Sequence, residues 1–233
     1  ARRHGAAPMR SPPLERPLTM QILFVTDIHS RSAGLEALPA ADLVLVGGDV
    51  TQFGSTADVQ RGLAALAERY PRQLAVLGNC DPPAAEAALE AAGVALHRRA
   101  VRLGDVAIAG LSGSNRTPFH TPYEWDDAAM AADLDRLAVP AAPGGLMVVS
   151  HAPPLGSGAD RLPQGRHAGS AAVAAWVRRL RPTMVLCGHI HEARGQFDVD
   201  GIPVINPGAL RQGHYALITL GDEAPRVEMG CLD

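Results

Sequence analysis

The chain has 233 residues, 47% of them apolar, enough for one large domain or two small ones. Forty residues are alanine, so bulky apolar content falls to roughly 30%, inside the globular range and outside the disordered one. All 21 cationic side chains are arginine and the net charge is −3, which gives no bulk attraction for nucleic acid or an anionic membrane.

Residues 1–19 carry Arg2, Arg3, Arg10 and Arg16 against Glu15, with Pro8, Pro12, Pro13 and Pro17, and read as a disordered tail without the apolar stretch of a secretory signal. The remainder, 20–233, reads as a single domain with a net charge of −6. Gln21–Thr26 is a short apolar run that predicts a buried strand, and 42–46 (DLVLV) predicts another, with a short helical piece near Leu35 between them. Val59, Leu63, Leu66 and Tyr70 fall on one face of a helix over 56–70. Leu74–Leu77 is a third strand. Asp81 then reads as the cap of a helix with Pro82 at its first position and Ala85, Leu89 and Ala92 inward. Three strand–helix units in succession imply a parallel sheet.

Val94–Leu96, Ala100–Leu103 and Val106–Ala109 are close-spaced strands, the last two joined at Gly104-Asp105. After a Gly/Ser/Pro loop over 111–122 comes a helix around Tyr123–Leu137, then a strand, Leu146–Val149. Ser170 caps a helix with Val173, Trp176, Val177 and Leu180 inward, and Thr183–Leu186 is a strand. Short strands at 195–199, 204–205, 215–220 and 226–228 complete the chain. The expected fold is α/β: a four-layer αββα sandwich of two mixed β-sheets flanked by helices. Trp125 and Trp176 are expected on helix faces in the core, and His4 and His97 at the surface.

Cys80, Cys187 and Cys231 are odd in number and lack CxxC spacing, which argues against a disulfide framework and for a reducing, cytoplasmic compartment. No apolar run approaches the roughly 20 residues of a membrane span, so no membrane partner is expected.

Five strand ends carry polar residues that bind metals: Asp27-Ile28-His29, Gly48-Asp49, Gly78-Asn79-Cys80-Asp81, Ser150-His151 and Gly188-His189-Ile190-His191. Strand C-termini are where α/β sheets build sites. In extended backbone, residues two apart share a side, which would aim Asp27 with His29 and His189 with His191. One Asp at a strand end is ordinarily a cap and one His ordinarily a satisfied side chain; five such ends in order are not explained that way. Imidazole with carboxylate and amide oxygen suits Mn, Fe, Zn, Co or Ni rather than Ca or Mg. Seven donors exceed what one catalytic ion takes, and fit two ions sharing a carboxylate.

The order DxH, GGD, GN-x-D, a solitary His after a strand, and GHxH resembles the calcineurin-like metallophosphoesterase superfamily across nearly the whole of 20–233. SHAPP (150–154), GHIHEARG (188–195) and NPG (206–208) resemble its small prokaryotic, phosphodiesterase-like members. The resemblance implies one ion on Asp27, His29, Asp49 and His191, a second on Asp49, Asn79, His151 and His189, manganese as the favoured metal, and a hydroxide between them attacking phosphorus in line. Asp49, Asn79, Cys80 and His151 would be the catalytic set. Many members have His where this chain has Cys80, so the usual proton donor is missing and activated diesters are the expected substrates.

Asn115, Arg166 and His167, on two loops, are candidates to contact a substrate phosphate, Arg116, Phe119 and His120 could form a lid or stacking wall, and Asn206 could brace a metal ligand. The expected activity is a phosphodiesterase acting on a small phosphate ester, with a phosphomonoesterase, a nuclease or a catalytically weak interaction scaffold as alternatives. Few aromatics and an acidic body make nucleic acid a less favoured partner. A homodimer is compatible with the sequence.

Overall fold

The computed structural model describes residues 19–221 and 223–232. The tail expected over 1–19 lies, Thr19 apart, outside the described residues, as does His4. In β1 (Met20–Val25), Ile22 and Phe24 point to one face and Leu23 and Val25 to the other, and all four are buried. A strand apolar on both faces belongs in the middle of a layered structure. β2 (Leu43–Gly47), α1 (Thr56–Ala67), β3 (Gln73–Val76) and α2 (Glu86–Ala91) follow. The antiparallel pair β4 (Arg99–Leu103) and β5 (Val106–Leu111) comes next, then the two-residue strands β6 (Ser114–Asn115) and β7 (Glu124–Trp125). The chain continues through α3 (Asp127–Leu134), β8 (Leu146–Ser150), α4 (Ala171–Leu180) and β9 (Met184–Cys187). It closes with β10 (Gly195–Val199), β11 (Ile202–Asn206), β12 (His214–Leu220) and β13 (Arg226–Cys231).

One sheet has the order β13-β12-β1-β2-β3, with β1 to β3 parallel and β12 and β13 antiparallel. The other has the order β10-β11-β9-β8-β5-β4, with four parallel central strands and antiparallel edges. Three apolar layers separate the elements. Ile22, Phe24, Leu45, Met147, Val149 and Leu186 pack between the sheets. Val44, Val46, Val59, Leu63 and Leu66 pack α1 onto the first sheet. Val148, Val173, Trp176, Val177 and Val185 pack α4 onto the second. This is the expected αββα sandwich of two mixed sheets.

Local chemistry sets the helix starts. Ser55 and Asp58 form a reciprocal capping box on α1, and Ser170 accepts from the Val173 amide at 3.0 Å on α4. Four local expectations are corrected. Asp81 caps no helix, because its carboxylate is committed to amides of the loop after β2. The helix near 123–137 begins only at Asp127, where Asp126 accepts from the Ala128 amide at 3.0 Å, so Trp125 sits in β7 and donates its indole N–H to Ser112 O at 3.0 Å. Residues 94–96 make a single bridge, Ala95 to Ala75, rather than a strand. His97 is largely enclosed, with Nδ1 accepting from the Ser112 amide at 3.0 Å and Nε2 3.2 Å from the Tyr123 hydroxyl. No helix among the described residues is long and apolar enough to cross a membrane.

Candidate metal centre

The C-terminal ends of β1, β2, β3, β8 and β9 open onto one place, so ligand-type residues from both sheets converge. The turns after β1 and β2 are joined by backbone bonds, Asp27 N–H to Gly48 O and His29 N–H to Asp49 O, both 2.9 Å. Extended backbone does not aim these side chains. Asp27, His29, Asp49 and His189 all have left-handed backbone, with φ of 53°, 45°, 48° and 69°. Each such residue costs of order 1–3 kcal/mol and persists only where its surroundings hold it. The neighbouring glycines are required by close approach. A Cβ on Gly78 would collide with the Asp49 carboxylate and amide, and one on Gly188 with Thr26 Oγ1 and Asp27 Oδ2.

Two imidazole pairs flank Asp49. His29 and His191 stand with ring centroids 5.1 Å apart and Nε2 atoms 3.2 Å apart. His151 and His189 stand 5.2 Å apart. Asp49 Oδ2 is 3.7 Å from His29 Nε2, and its Oδ1 is 3.5 Å from His151 Nε2. Asp27 Oδ1 is 3.1 Å from His191 Nε2 and 3.9 Å from His29 Nε2. Asn79 Oδ1 is 3.0 Å from His151 Nε2. Bonds of about 2.0–2.2 Å at tetrahedral to octahedral angles put neighbouring donors about 3.0–3.5 Å apart, so the donor set fits divalent ions. One contact tests the fit directly. His151 Nδ1 donates to Gly47 O at 2.8 Å, which leaves Nε2 with a lone pair when the ring is neutral. That lone pair faces the Asn79 oxygen, another acceptor. A cation between them satisfies both.

Residues 20–193 match the family of calcineurin-like phosphoesterases. The chain belongs to that family. Membership supports a hydrolase acting on phosphate esters. The uncharacterized protein MJ1162 of Methanocaldococcus jannaschii is 32% identical over 194 residues, 81% of this chain and 88% of that protein. The structure of TT1561 from Thermus thermophilus is similar with a TM-score of 0.68 at 20% identity, over 92% of this chain and 100% of that one. The phosphopantetheinyl hydrolase PptH from Mycobacterium tuberculosis gives 0.58 at 18% identity, over 82% and 90%. At these identities the likeness is one of fold.

In this calcineurin-like phosphoesterase, burial holds the His29 and His189 imidazoles down to about 4 and about 3, so both are neutral near pH 7 with lone pairs available. Burial pushes the Asp49 carboxyl up to about 6, opposed by His151 and reinforced by Asp27 and Asp81. Burial also opposes ionisation of Asp27, but the hydrogen bond from His191 and the surrounding imidazoles carry its carboxyl below the ordinary range. Buried carboxylates beside the neutral His29 and His189 rings form an electron-rich pocket that a cation relieves.

Cys80 is buried, and its amide donates to Asp49 Oδ1 at 2.8 Å. Its sulfur lies with His29 and Asp49 donors in one cluster, and burial together with Asp49 pushes the thiol far up, so it stays protonated. Asp81 accepts from the amides of Val50, Thr51 and Gly78 and from the Thr51 hydroxyl, all between 2.8 and 3.0 Å. Asn206 donates to Ile190 O at 2.8 Å and accepts from the Gly208 amide at 2.9 Å, bracing the peptide between His189 and His191.

Asn115, Arg166 and His167 are not among the side chains that meet in the cluster. Asn115 donates to Ala168 O at 3.3 Å, tying the two loops together. Arg166 is exposed, and His167 Nδ1 pairs with the buried Asp160 at 2.8 Å. Sequence reasoning passed over Thr121 and Glu124. Thr121 accepts from Asn79 Nδ2 at 3.0 Å across 42 positions, and no local motif marks it.

Proposed function

We propose that the chain is a dinuclear metal-dependent phosphodiesterase for small phosphodiesters, with Mn favoured and Fe, Zn, Co or Ni as alternatives. The observation that carries this reading is Asp49, whose two oxygens face different imidazole pairs. Asp27, His29, Asp49 and His191 would hold one ion, and Asp49, Asn79, His151 and His189 the other. When bound, two such ions supply the positive charge that binds a phosphate ester and activates water toward it.

The chain's own residues do the rest. His29 and His189, kept neutral by burial, hold lone pairs ready without first losing a proton. The Cys80 amide holds Asp49 in place. No imidazole stands at position 80, and a thiol pushed up by burial is a weak acid. Ester arms that leave without a proton are therefore the better substrates. Two of the chain's four Phe are well exposed: Phe53, four residues after Asp49, and Phe119, two residues before Thr121. Phe53 also has a left-handed φ of 56°, so exposure and backbone strain fall on one aromatic residue. Each ring stands within four residues of a residue at the cluster, and an apolar wall made of them would favour a diester with a ring-bearing substituent.

The test is hydrolysis of bis(4-nitrophenyl) phosphate and 4-nitrophenyl phosphate by metal-stripped protein refilled with Mn²⁺. Metal-dependent turnover that favours the diester and is lost in Asp49→Ala is the expected result. Preference for the monoester overturns the diesterase reading, and no metal-dependent turnover of either overturns the enzyme reading.

A further inference from the structure

Asn79 can face the His151 side of the cluster with either end of its amide, and only the oxygen can bind a cation. We infer that Glu124, acting through Thr121, decides which end it is. Three donors converge on Glu124 Oε1: the Thr121 hydroxyl at 2.6 Å, the Thr117 hydroxyl at 2.6 Å and the Thr121 amide at 2.8 Å. A carboxylate only accepts, so the Thr121 hydroxyl spends its hydrogen on Glu124. Its oxygen is then left as an acceptor, 3.0 Å from Asn79 Nδ2. The amide NH₂ is drawn to Thr121 and the oxygen turns toward His151 Nε2, at 3.0 Å.

The consequence lies in the alternative orientation. His151 Nδ1 is occupied by Gly47 O, so neutral His151 offers an acceptor at Nε2. With its amide reversed, Asn79 would donate to that nitrogen and the site would satisfy itself. A cation would then have to break this hydrogen bond and turn the amide before it could bind. Thr121 and Glu124 exclude that closed arrangement in advance. They are positioning residues for one ion of the pair, and this role rests on the proposed dinuclear reading. The same clamp closes the loop over 117–124 on itself, and the Tyr123 amide, donating to Asn79 O at 3.1 Å, holds that loop against Asn79.

The experiment is a Co²⁺ titration of metal-stripped protein, followed by visible absorption and by calorimetry. Wild type is expected to take two ions. Thr121→Val, which keeps the shape and removes the acceptor, is expected to weaken one of them about 10- to 100-fold and leave the other unchanged. Glu124→Ala should act in the same direction, and Thr121→Ser, which restores the hydroxyl, should titrate like wild type. In a His189→Ala background, where the second site has lost an imidazole, Thr121→Val should leave the affinity of the remaining ion unchanged. Unchanged affinities in Thr121→Val, or equal weakening of both ions, overturn the inference while leaving the dinuclear reading intact. A wild-type chain that binds fewer than two ions overturns the dinuclear reading, and the inference with it.

Discussion

Cys80 donates its backbone N–H to Asp49 Oδ1 at 2.8 Å. The residue at which the family resemblance implies an imidazole is thus tied, through its backbone, to the carboxylate between the two imidazole pairs. Side-chain replacement there changes the group that faces Asp49 and keeps the backbone tie. Cys80→His is expected to raise monoester kcat/KM, by up to about 10²-fold, more than diester kcat/KM. Steady-state assays with 4-nitrophenyl phosphate and its diester read the ratio. An unchanged ratio would mean that a new imidazole at position 80 cannot reach the leaving oxygen.

Asp81 is a structural anchor, so its loss should appear in stability before chemistry. Asp81→Ala leaves three buried amides and the Thr51 hydroxyl without their acceptor. With a cost of about 1–3 kcal/mol for a buried group left unmade, a loss of at least about 3 kcal/mol is expected. Asp81→Asn, which keeps one oxygen, should lose less. Denaturant unfolding of the metal-free variants measures both.

Gly78→Ala tests the close approach of two loops. The added methyl would meet Asp49 directly. Displacing Asp49 should cost about 1–3 kcal/mol by overpacking and should lower metal affinity, since Asp49 lies between both imidazole pairs. Unfolding curves with and without Mn²⁺ separate the two effects. Full metal affinity in Gly78→Ala would refute the account.

Acid should destabilise the metal-free protein through its buried imidazoles. His29 and His189 fall from 6.5 to about 4 and about 3 on folding, and His97 to about 4, each chiefly through burial. Above pH 6.5 these rings are neutral in both states. Below it the unfolded chain takes up protons that the folded chain refuses, so stability declines as pH falls from about 6.5 toward 4. Asp49 acts in the opposite sense, because its raised carboxyl, about 6, holds a proton that the unfolded chain lacks between about 4 and 6. Asp81 and Glu86, also raised by burial, act with Asp49, so the imidazole contribution to the pH slope is isolated by comparing wild type with a variant that lacks one ring. His189→Asn should flatten that slope by up to about 1.4 kcal/mol per pH unit, read from chemical unfolding across pH 4.5–7.

Metal should stabilise the fold by an amount that rises with the logarithm of its concentration above Kd. A ligand at a hundred times its Kd adds about 2.7 kcal/mol. Mn²⁺ should therefore raise the Tm of the stripped protein, and Asp49→Ala should lose most of that rise. A Tm indifferent to Mn²⁺ in the wild type would count against the metal centre.

The unbroken apolar runs of β1, β2, β8 and β9 are enough to read buried strands inside a layered fold, because each is apolar on both faces and can only be buried. The five strand ends were legible for a related reason: Asp27, Asp49, Asn79, His151 and His189 each follow such a run. What tertiary structure decided was orientation. Asp27, His29 and His189 reach the centre through left-handed turns rather than through the side alternation of an extended strand, because loops from two sheets hold them there. Asp81 looked like a cap because Pro82 follows it, yet amides 30 residues away claim its carboxylate. Thr121 and Glu124 carry no local signal, since their effect on Asn79 exists only once a loop has folded across the end of β3. Local pattern determines which residues are buried and which stand at strand ends; which polar atom faces which depends on contacts between segments far apart in the chain.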